Sequence, residues 1–329
     1  MSAVPDRPDA VGRGATALRR VWQDAGMVLV LVLLLASCCA LVPNFRNLRN
    51  IAGLGLAVSM TGMVACTMLF CLASGHFDLS VGSIVACAGV LTAATVNRTG
   101  SIALGIAAGL AFGALVGLVN GVVIAKLGIN ALITTLAMMQ IVRGLAFIFA
   151  PGGVSVSVMD KRFFLLGNTS LLGVPTPVWI TALCFVVFGL LLQYTTFGRN
   201  TLAVGGNEEA ARLAGIAVDR IKIVIFVLQG AMAAFAGIVM ASRMTSGQPN
   251  VGAGFELAVI SACVLGGVSL TGGVGNMLSV ISGVLIMGTV QNALNLLNVP
   301  TFYQYVVSGT ILLVAVMLDK LKTRARGSR

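Results

Sequence analysis

The residue types that perform catalysis are scarce in this sequence, and they do not form catalytic patterns. A nucleotide-binding P-loop needs Gly-Lys followed by Ser or Thr, and no Lys in the chain follows a Gly. The single His, His76, and the nearby Asp78 stand beside no nucleophile motif. The seven Cys form no Cys-x-x-Cys pair, which argues against a zinc site or a disulfide framework. The sequence therefore predicts no catalytic residue, no metal site and no cofactor in this chain.

One polar segment, residues 195–222, has the spacing of a short capped helix. Asn207 can cap the N-terminus, and Glu208 and Glu209 fall in the first turn, where the helix dipole favours acids. Glu208 and Arg212 form an i,i+4 pair, and Gly215 is placed to end the helix. The residues alone allow either a solvated interfacial helix or one that docks on a partner. The segment is Asn207, Glu208, Glu209, Ala210, Ala211, Arg212, Leu213 and Gly215.

A second set of polar side chains interrupts long apolar stretches. Amides there either line a polar path or hydrogen-bond one helix to another, and both interpretations stay open for Asn120, Gln140, Gln291, Asn292 and Asn295. Arg143, also in an apolar stretch, is expected to reach the surface or bind backbone carbonyls. Asp78 and Glu256 each precede an apolar segment, and we expect both to be structural acids at helix starts rather than substrate contacts.

The elements that must position these residues are membrane helices. Of 329 residues, 58% are hydrophobic and only 9% are charged, with a mean hydropathy of +1.01. A water-soluble core of this size cannot hide so much apolar surface, which excludes a soluble enzyme or a DNA-binding domain. The sequence predicts an all-α polytopic membrane protein with ten transmembrane helices at about 27–42, 51–70, 79–96, 102–125, 131–149, 178–193, 221–241, 257–270, 277–297 and 302–318.

The basic residues predict the orientation. With both termini on one side, 14 of the 21 Lys and Arg fall on that side and 6 on the other, which indicates N-in and C-in. The net charge of +11 therefore reflects topology rather than nucleic-acid binding. The predicted parts are a mostly disordered cytoplasmic tail over 1–26, a membrane domain over 27–319 with the cytoplasmic loop 195–222, and a basic cytoplasmic tail over 320–329.

The predicted spans contain a weak internal repeat. Phe-Asp-Leu-Ser-Val at 77–81 matches Phe-Glu-Leu-Ala-Val at 255–259, and two further pairs of spans match in the same order, five spans apart. Spans 2–5 and 7–10 would then form an inverted repeat, which is typical of transporters. Glycines at every fourth position of span 4, from Gly105 to Gly121, predict close helix packing.

The first span carries an ambiguity of processing. Leu-Ala-Ser-Cys at 35–38 is similar to a lipoprotein cleavage box, and cleavage before Cys38 would remove that span. Nine further spans and the continuing apolar run favour a retained first helix.

The motifs resemble one class of membrane subunits. EEAARLAG at 208–215 is similar to the ATPase-coupling segment of ABC importer permeases. FDLSVG at 77–82, TFGRN at 196–200 and LGGVSL at 265–270 resemble the ribose/arabinose/xylose/galactose class of monosaccharide permeases, a similarity that extends over about 21–320. NALITTL at 130–136 and RMTSGQP at 243–249 are similar to the L-arabinose permeases of that class. The class usually has Gly-Gly-Ile before Asp-Leu-Ser, whereas Gly75-His76-Phe77 stands here.

This resemblance implies the permease subunit of a binding-protein-dependent ABC importer, here for L-arabinose, in the bacterial inner membrane. It implies as partners a second permease copy, a cytoplasmic ATPase and a periplasmic sugar-binding protein, with lipid around them. D-ribose, D-xylose and D-galactose stay open as substrates. The alternatives are an ion-coupled secondary sugar transporter, with Asp78 as the coupling acid, and a structural membrane subunit without a pathway.

Overall fold

The computed structural model describes residues 10–327, with side chains over residues 26–317. Within this range the chain is a helical bundle with two small β-ribbons. The helices are α1 (Ala10–Leu41), α2 (Leu48–Ala73), α3 (Val81–Thr99), α4 (Ile102–Lys126), α5 (Ala131–Phe149), α6 (Leu165–Asn168), α7 (Thr176–Tyr194), α8 (Thr196–Gly206), α9 (Glu208–Leu213), α10 (Val218–Met244), α11 (Phe255–Leu265), α12 (Met277–Leu296) and α13 (Thr301–Gly327). Antiparallel ribbons join β1 (Val156–Ser157) to β4 (Ser246–Gly247), and β2 (Ser170–Leu171) to β3 (Val174–Pro175).

Each predicted span coincides with a helix, which confirms the all-α membrane fold. Seven described helices are long and apolar enough to cross a membrane, namely α2, α3, α4, α5, α7, α10 and α12. Gly26–Leu41 in α1, α11 and Thr301–Met317 in α13 are shorter apolar helices. The count of ten spans, the N-in/C-in orientation and the inverted repeat therefore stay predictions.

The predicted eighth span, 257–270, is too long. Helix α11 ends at Leu265 after 11 residues, which at 1.5 Å per residue is about half of a 30 Å hydrocarbon layer. Gly267 follows with φ +96°. This left-handed conformation ends the helix, and glycine adopts it without the steric penalty that other residues pay. Gly266 also packs against the start of α12, where an added Cβ would lie 3.1 Å from the Cα of Val280.

Helices extend into both predicted tails. Residues 1–9 lie outside the described residues, but α1 begins at Ala10, inside the segment 1–26 that was predicted to be mostly disordered. No proline follows Pro8 in that segment, and its Ala, Leu and Arg are good helix formers, so the apolar helix extends backward at little cost. At the other terminus, α13 continues through the basic segment to Gly327.

The centre of the bundle is formed by α2, α3 and α10. Most of α2 and α3 is buried, whereas α4, α5 and α7 expose broad apolar faces, as helices against lipid do. Helix α4 packs along α10 and α3 through its glycine row, because an added Cβ at Gly121 would lie 2.8 Å from the Cα of Ile223, and one at Gly105 would lie 2.9 Å from the Thr92 carbonyl oxygen. The predicted packing role of this row is confirmed.

The bundle has two distinct ends. The α9 end carries α8, α9 and the turns 74–80 and 266–276, which meet where the Gly273 amide donates to the Ala73 carbonyl at 2.8 Å. The far end carries the segments 150–175 and 245–254, which meet in the β1–β4 ribbon. Asn97, close to the end of α3, donates to the Ser157 carbonyl at 2.7 Å, so α3 runs from the α9 end towards the far end.

The segment 245–254 enters the bundle from the far end. An added Cβ at Gly247 would lie 2.5 Å from the Cα of Val90, and one at Gly252 would lie 2.6 Å from the Gly82 carbonyl oxygen. Eight residues separate Val90 from Gly82 along α3, so the segment descends about 12 Å beside that helix. The short α11 therefore starts inside the bundle, in an arrangement that recurs where transporters bind substrates.

Candidate functional site

At the α9 end, helix α9 has caps at both termini. The Asn207 side-chain oxygen accepts a hydrogen bond from the Ala210 amide at 2.9 Å, as the sequence predicts for an N-cap. At the other terminus the Ile216 amide donates to the Ala211 carbonyl at 3.0 Å, and Gly215 has φ +82°. Caps satisfy the free backbone groups of a helix of only six residues, so α9 is a defined surface feature.

Ion pairs fasten α9 to the membrane helices. Glu208 accepts from Lys222 of α10 at 2.7 Å and from Arg212 at 3.3 Å. Arg212 also reaches Asp219 at 3.3 Å, and Asp219 pairs with Lys126 at the end of α4 at 2.8 Å. The predicted Glu208–Arg212 pair is present, but no short-range pattern indicates the Lys222 contact, since 14 residues separate the partners.

The Lys222–Glu208 pair is asymmetric in its exposure to solvent. The Lys222 side chain is 9% exposed and that of Glu208 is 42% exposed. The hydrogen bond from Lys222 is the main reason why the pKa of Glu208 is lowered from its ordinary value. Burial and then the charge of Lys222 lower the pKa of His76, whose ring lies edge-on to Phe226, with centroids 6.3 Å apart. The Glu208–Lys222 pair and the His76 imidazole therefore interact electrostatically with one another beneath α9.

Helix α8, which the sequence did not predict, connects α9 to the core. Its Phe197 ring stacks on Phe70 of α2, with centroids 5.7 Å apart. At its end an added Cβ at Gly205 would lie 2.6 Å from the Gly273 amide nitrogen. Glycine thus brings α8 against the turns that follow α2 and α11, and a displacement of α9 would be transmitted directly to both turns.

The residues of the predicted coupling segment divide into two groups. Ala211 is buried against its own chain, beside Val204 and Val218, and Glu208 is occupied by Lys222 and Arg212. The second group faces outward and includes Leu213, whose side chain is 90% exposed. The other exposed members of the segment are Asn207, Glu209, Ala210, Arg212 and Gly215.

The two helix-start acids occupy different surroundings. Asp78 is fully buried, and its Oδ1 accepts from the Ser80 amide at 2.9 Å and from the Ser80 hydroxyl at 2.6 Å, immediately before α3. Asn120 of α4, also fully buried, donates to the same hydroxyl at 3.0 Å. Glu256 lies in the first turn of α11, close to Gly82. Both acids lie at helix starts, as the sequence predicts, and their structural role stays a prediction.

Arg143 binds the segment that descends from the far end. Its Nη1 donates to the Pro249 carbonyl at 2.7 Å and to the Val251 carbonyl at 2.6 Å. Carbonyl binding is one of the two roles expected for this residue from the sequence, and it is the one that the structure shows. Arg143 of α5 therefore fixes the start of α11.

A cavity of about 350 Å³ opens where α2, α10, α11 and α13 meet towards the far end. Its polar lining consists of Thr61, Arg243, Tyr305 and the backbone of 252–254. An adjoining cavity of about 90 Å³ shares the wall formed by Ala57, Thr61 and Ala258 and is also lined by Gln291, Asn292 and Asn295. A further hollow of about 400 Å³ is formed by the consecutive residues 39–47 alone and is a surface feature of the α1–α2 turn.

The predicted pathway amides are only partly brought together. Asn292 exchanges two hydrogen bonds with Asn50 of α2, at 3.0 and 2.9 Å, and Asn295 accepts from Gln304 at 2.8 Å, so both join helices as well as facing the smaller cavity. Gln291 faces that cavity. Gln140 is exposed on α5 and lines neither cavity, and Asn120 is enclosed beside Ser80.

Sequence reasoning missed Arg243, Tyr305 and Thr61 as cavity residues. Arg243 enters the prediction only as one of the basic residues and as part of the 243–249 string, and Tyr305 only as part of the predicted span 302–318. The periodicity of a single helix does not reveal which faces of four helices enclose a space, so these residues carried no usable signal.

Comparisons with known proteins give a consistent result. Residues 50–316 match the family described as the branched-chain amino acid transport system permease component. The L-arabinose transport system permease protein AraH of Escherichia coli strain K12 is 59% identical over 99% of both chains. The L-arabinose ABC transporter permease protein AraH of Azospirillum brasilense is 54% identical, covering 97% of this chain and 95% of that protein. The ribose import permease RbsC of E. coli is 39% identical, covering 94% and 98%. No solved structure matches the chain.

Proposed function

The chain belongs to the branched-chain amino acid transport system permease family, and on this premise we propose that it is the membrane-spanning subunit of an ATP-driven, binding-protein-dependent importer of L-arabinose. The observation that carries the proposal is the 59% identity to an L-arabinose permease over 99% of both chains. The chain is a transport subunit of the inner membrane rather than an enzyme, and ATP is hydrolysed by a separate chain.

The family implies association with an ATPase and with a periplasmic binding protein. We further propose that two copies of this chain, surrounded by lipid, form the translocation pathway. The α9 end would face the ATPase and the far end the binding protein. The exposed Leu213 and its neighbours on α9 supply a compact docking surface.

The mechanism follows from what α9 touches. When nucleotide closes the ATPase, α9 moves with it. The motion passes through the Glu208–Lys222 pair to α10. It also passes through the glycine contacts of α8 to the turns that follow α2 and α11. Energy enters because the ATPase binds one arrangement of the helices better than the other.

The ion-coupled alternative would require Asp78 to exchange a proton or cation. Asp78 is enclosed, and one of its oxygens already accepts two hydrogen bonds from Ser80, which supports a structural role. The ribose permeases at 39% identity make D-ribose the main competing substrate, followed by D-xylose and D-galactose.

The test is uptake of labelled L-arabinose by cells with and without this gene, with the proton gradient collapsed and ATP maintained. Gene-dependent uptake that persists, and that a tenfold excess of D-ribose does not suppress, supports the proposal. Uptake that disappears with the gradient would assign the ion-coupled mechanism. Gene-dependent entry of ribose but not arabinose would overturn the sugar alone.

A further inference from the structure

The far-end cavity differs from a lipid-facing groove in its polar groups. Met60, Met240 and Phe255 provide apolar walls, and Arg243, Tyr305 and Thr61 come from three different helices to face the same space. Among the residues whose side chains the structure describes, no acidic one lines the cavity. Its lining therefore combines a cationic hydrogen-bond donor, an aromatic ring and a hydroxyl, which suits a neutral polyol.

Arg243 is held in place but keeps its donors free. Asn168 of α6 donates to the Ser242 and Arg243 carbonyls at 3.0 and 3.2 Å, which fixes the last turn of α10. The Arg243 stem passes so close to Gly167 that an added Cβ there would lie 3.0 Å from the Arg243 Cγ. Among the described residues, the Arg243 guanidinium makes no hydrogen bond or ion pair, in contrast to Arg143, which is bonded to two carbonyls.

The cavity is closed towards the α9 end. Thr61 lies at its wall, and from Gly62 to Ala73 every residue of α2 is buried. Val85, in the part of α3 that is buried on all sides, forms another part of the lining. A solute entering from the far end therefore stops beside Thr61, with Arg243 and the 76%-exposed Tyr305 closer to the entrance.

We propose that Arg243, Tyr305 and Thr61 form the site at which the permease first binds a neutral monosaccharide, and that Arg243 determines its selectivity by donating hydrogen bonds to sugar hydroxyls. This inference rests on the proposed function. The guanidinium recognises hydroxyl oxygens at fixed spacing, and the Tyr305 ring covers an apolar face of the sugar.

The site can be probed in the assembled transporter with a reporter cysteine at Ala253, which lines the cavity and is exposed. A membrane-impermeant thiol reagent labels the cysteine introduced by Ala253→Cys. Labelling of the chain without this substitution measures the contribution of the native Cys residues. L-Arabinose is then titrated in without binding protein, with an equal concentration of a trisaccharide as the osmotic control. The half-protecting concentration measures occupancy of the cavity.

In the reporter background, Arg243→Gln is expected to raise the half-protecting L-arabinose concentration at least tenfold, because a hydrogen bond to a charged donor is lost. Arg98→Gln is the matched control, since Arg98 ends α3 at the far end and lines neither cavity, and it should change the value less than twofold. A sugar that lacks the hydroxyl bound by Arg243 should protect the chain that keeps Arg243 less well than L-arabinose does. In the Arg243→Gln chain, the two sugars should protect equally well.

Protection that Arg243→Gln leaves unchanged would overturn the inference. If that variant also loses the stimulation of ATP hydrolysis by sugar-free binding protein, Arg243 belongs to the protein interface instead. If cells import L-arabinose with ATP and protection is unchanged, only this site fails. Absence of ATP-driven import would instead reject the proposed function.

Discussion

Removing the carboxylate of Glu208 is expected to destabilise the α9 end more than removing the ammonium of Lys222. The pair is 2.7 Å long, and its two side chains are 42% and 9% exposed. Glu208→Gln leaves a buried ammonium without its anion, whereas Lys222→Met removes the buried charge and leaves a carboxylate that water and Arg212 still satisfy. The order of the two effects follows from this difference in burial.

The magnitude lies between two limits. Exposed ion pairs contribute about 0–1 kcal/mol, and breaking a buried pair costs about 3–5 kcal/mol. With one buried and one half-exposed partner, we expect a loss of about 2 kcal/mol for Glu208→Gln and about 1 kcal/mol or less for Lys222→Met. Because Lys222 lowers the pKa of Glu208, the contribution is complete at neutral pH and is lost as the pH falls through that lowered pKa.

The order of the two stability losses is measured by thermal unfolding in detergent. The purified permease is compared with the Glu208→Gln and Lys222→Met variants. Glu209→Gln is the matched control, since Glu209 is exposed and makes no ion pair among the described residues. Equal losses for the two variants, or a larger loss for Lys222→Met, would refute the argument from burial. The same variants should lower sugar transported per ATP, because the pair lies on the path from α9 to α10.

Three further outcomes follow from other contacts. His76 is kept neutral by burial and by Lys222, so acidification through the ordinary histidine range should destabilise the protein, and His76→Gln, which removes the chain's single His, should flatten this slope in unfolding experiments. Gly117→Ala should cost about 1–3 kcal/mol or prevent folding, since the added Cβ would lie 2.9 Å from the Cα of Val227, whereas Gly144→Ala, with open space around it, should be neutral or stabilising. Leu213→Asp should weaken ATPase binding in pull-down assays without changing the unfolding temperature, because its side chain is 90% exposed.

The sequence predicted the elements that depend on composition and local spacing. The lengths of the apolar stretches predicted the positions of all ten apolar helices. Short-range patterns predicted the cap at Asn207, the Glu208–Arg212 pair and the glycine row of α4. Family resemblance supplied the function, because the residue types alone only exclude catalysis.

What the sequence could not predict depends on contacts between distant segments. The Lys222–Glu208 pair, the descent of residues 245–254 beside α3 and the cavity at Arg243 all join residues of separate helices. Asn292 illustrates the same point, since only the position of Asn50 shows that its amide is used in helix pairing. The premature end of α11 depended on the backbone conformation of Gly267.

The most direct test of ATP-driven import is labelled L-arabinose accumulation in proteoliposomes that hold the permease with its ATPase. ATP is enclosed, sugar-loaded binding protein is added outside, and no ion gradient is imposed. The account predicts accumulation above the external free sugar concentration that stops when Leu213→Asp separates the ATPase from α9. Accumulation that requires an imposed ion gradient and ignores ATP would contradict it.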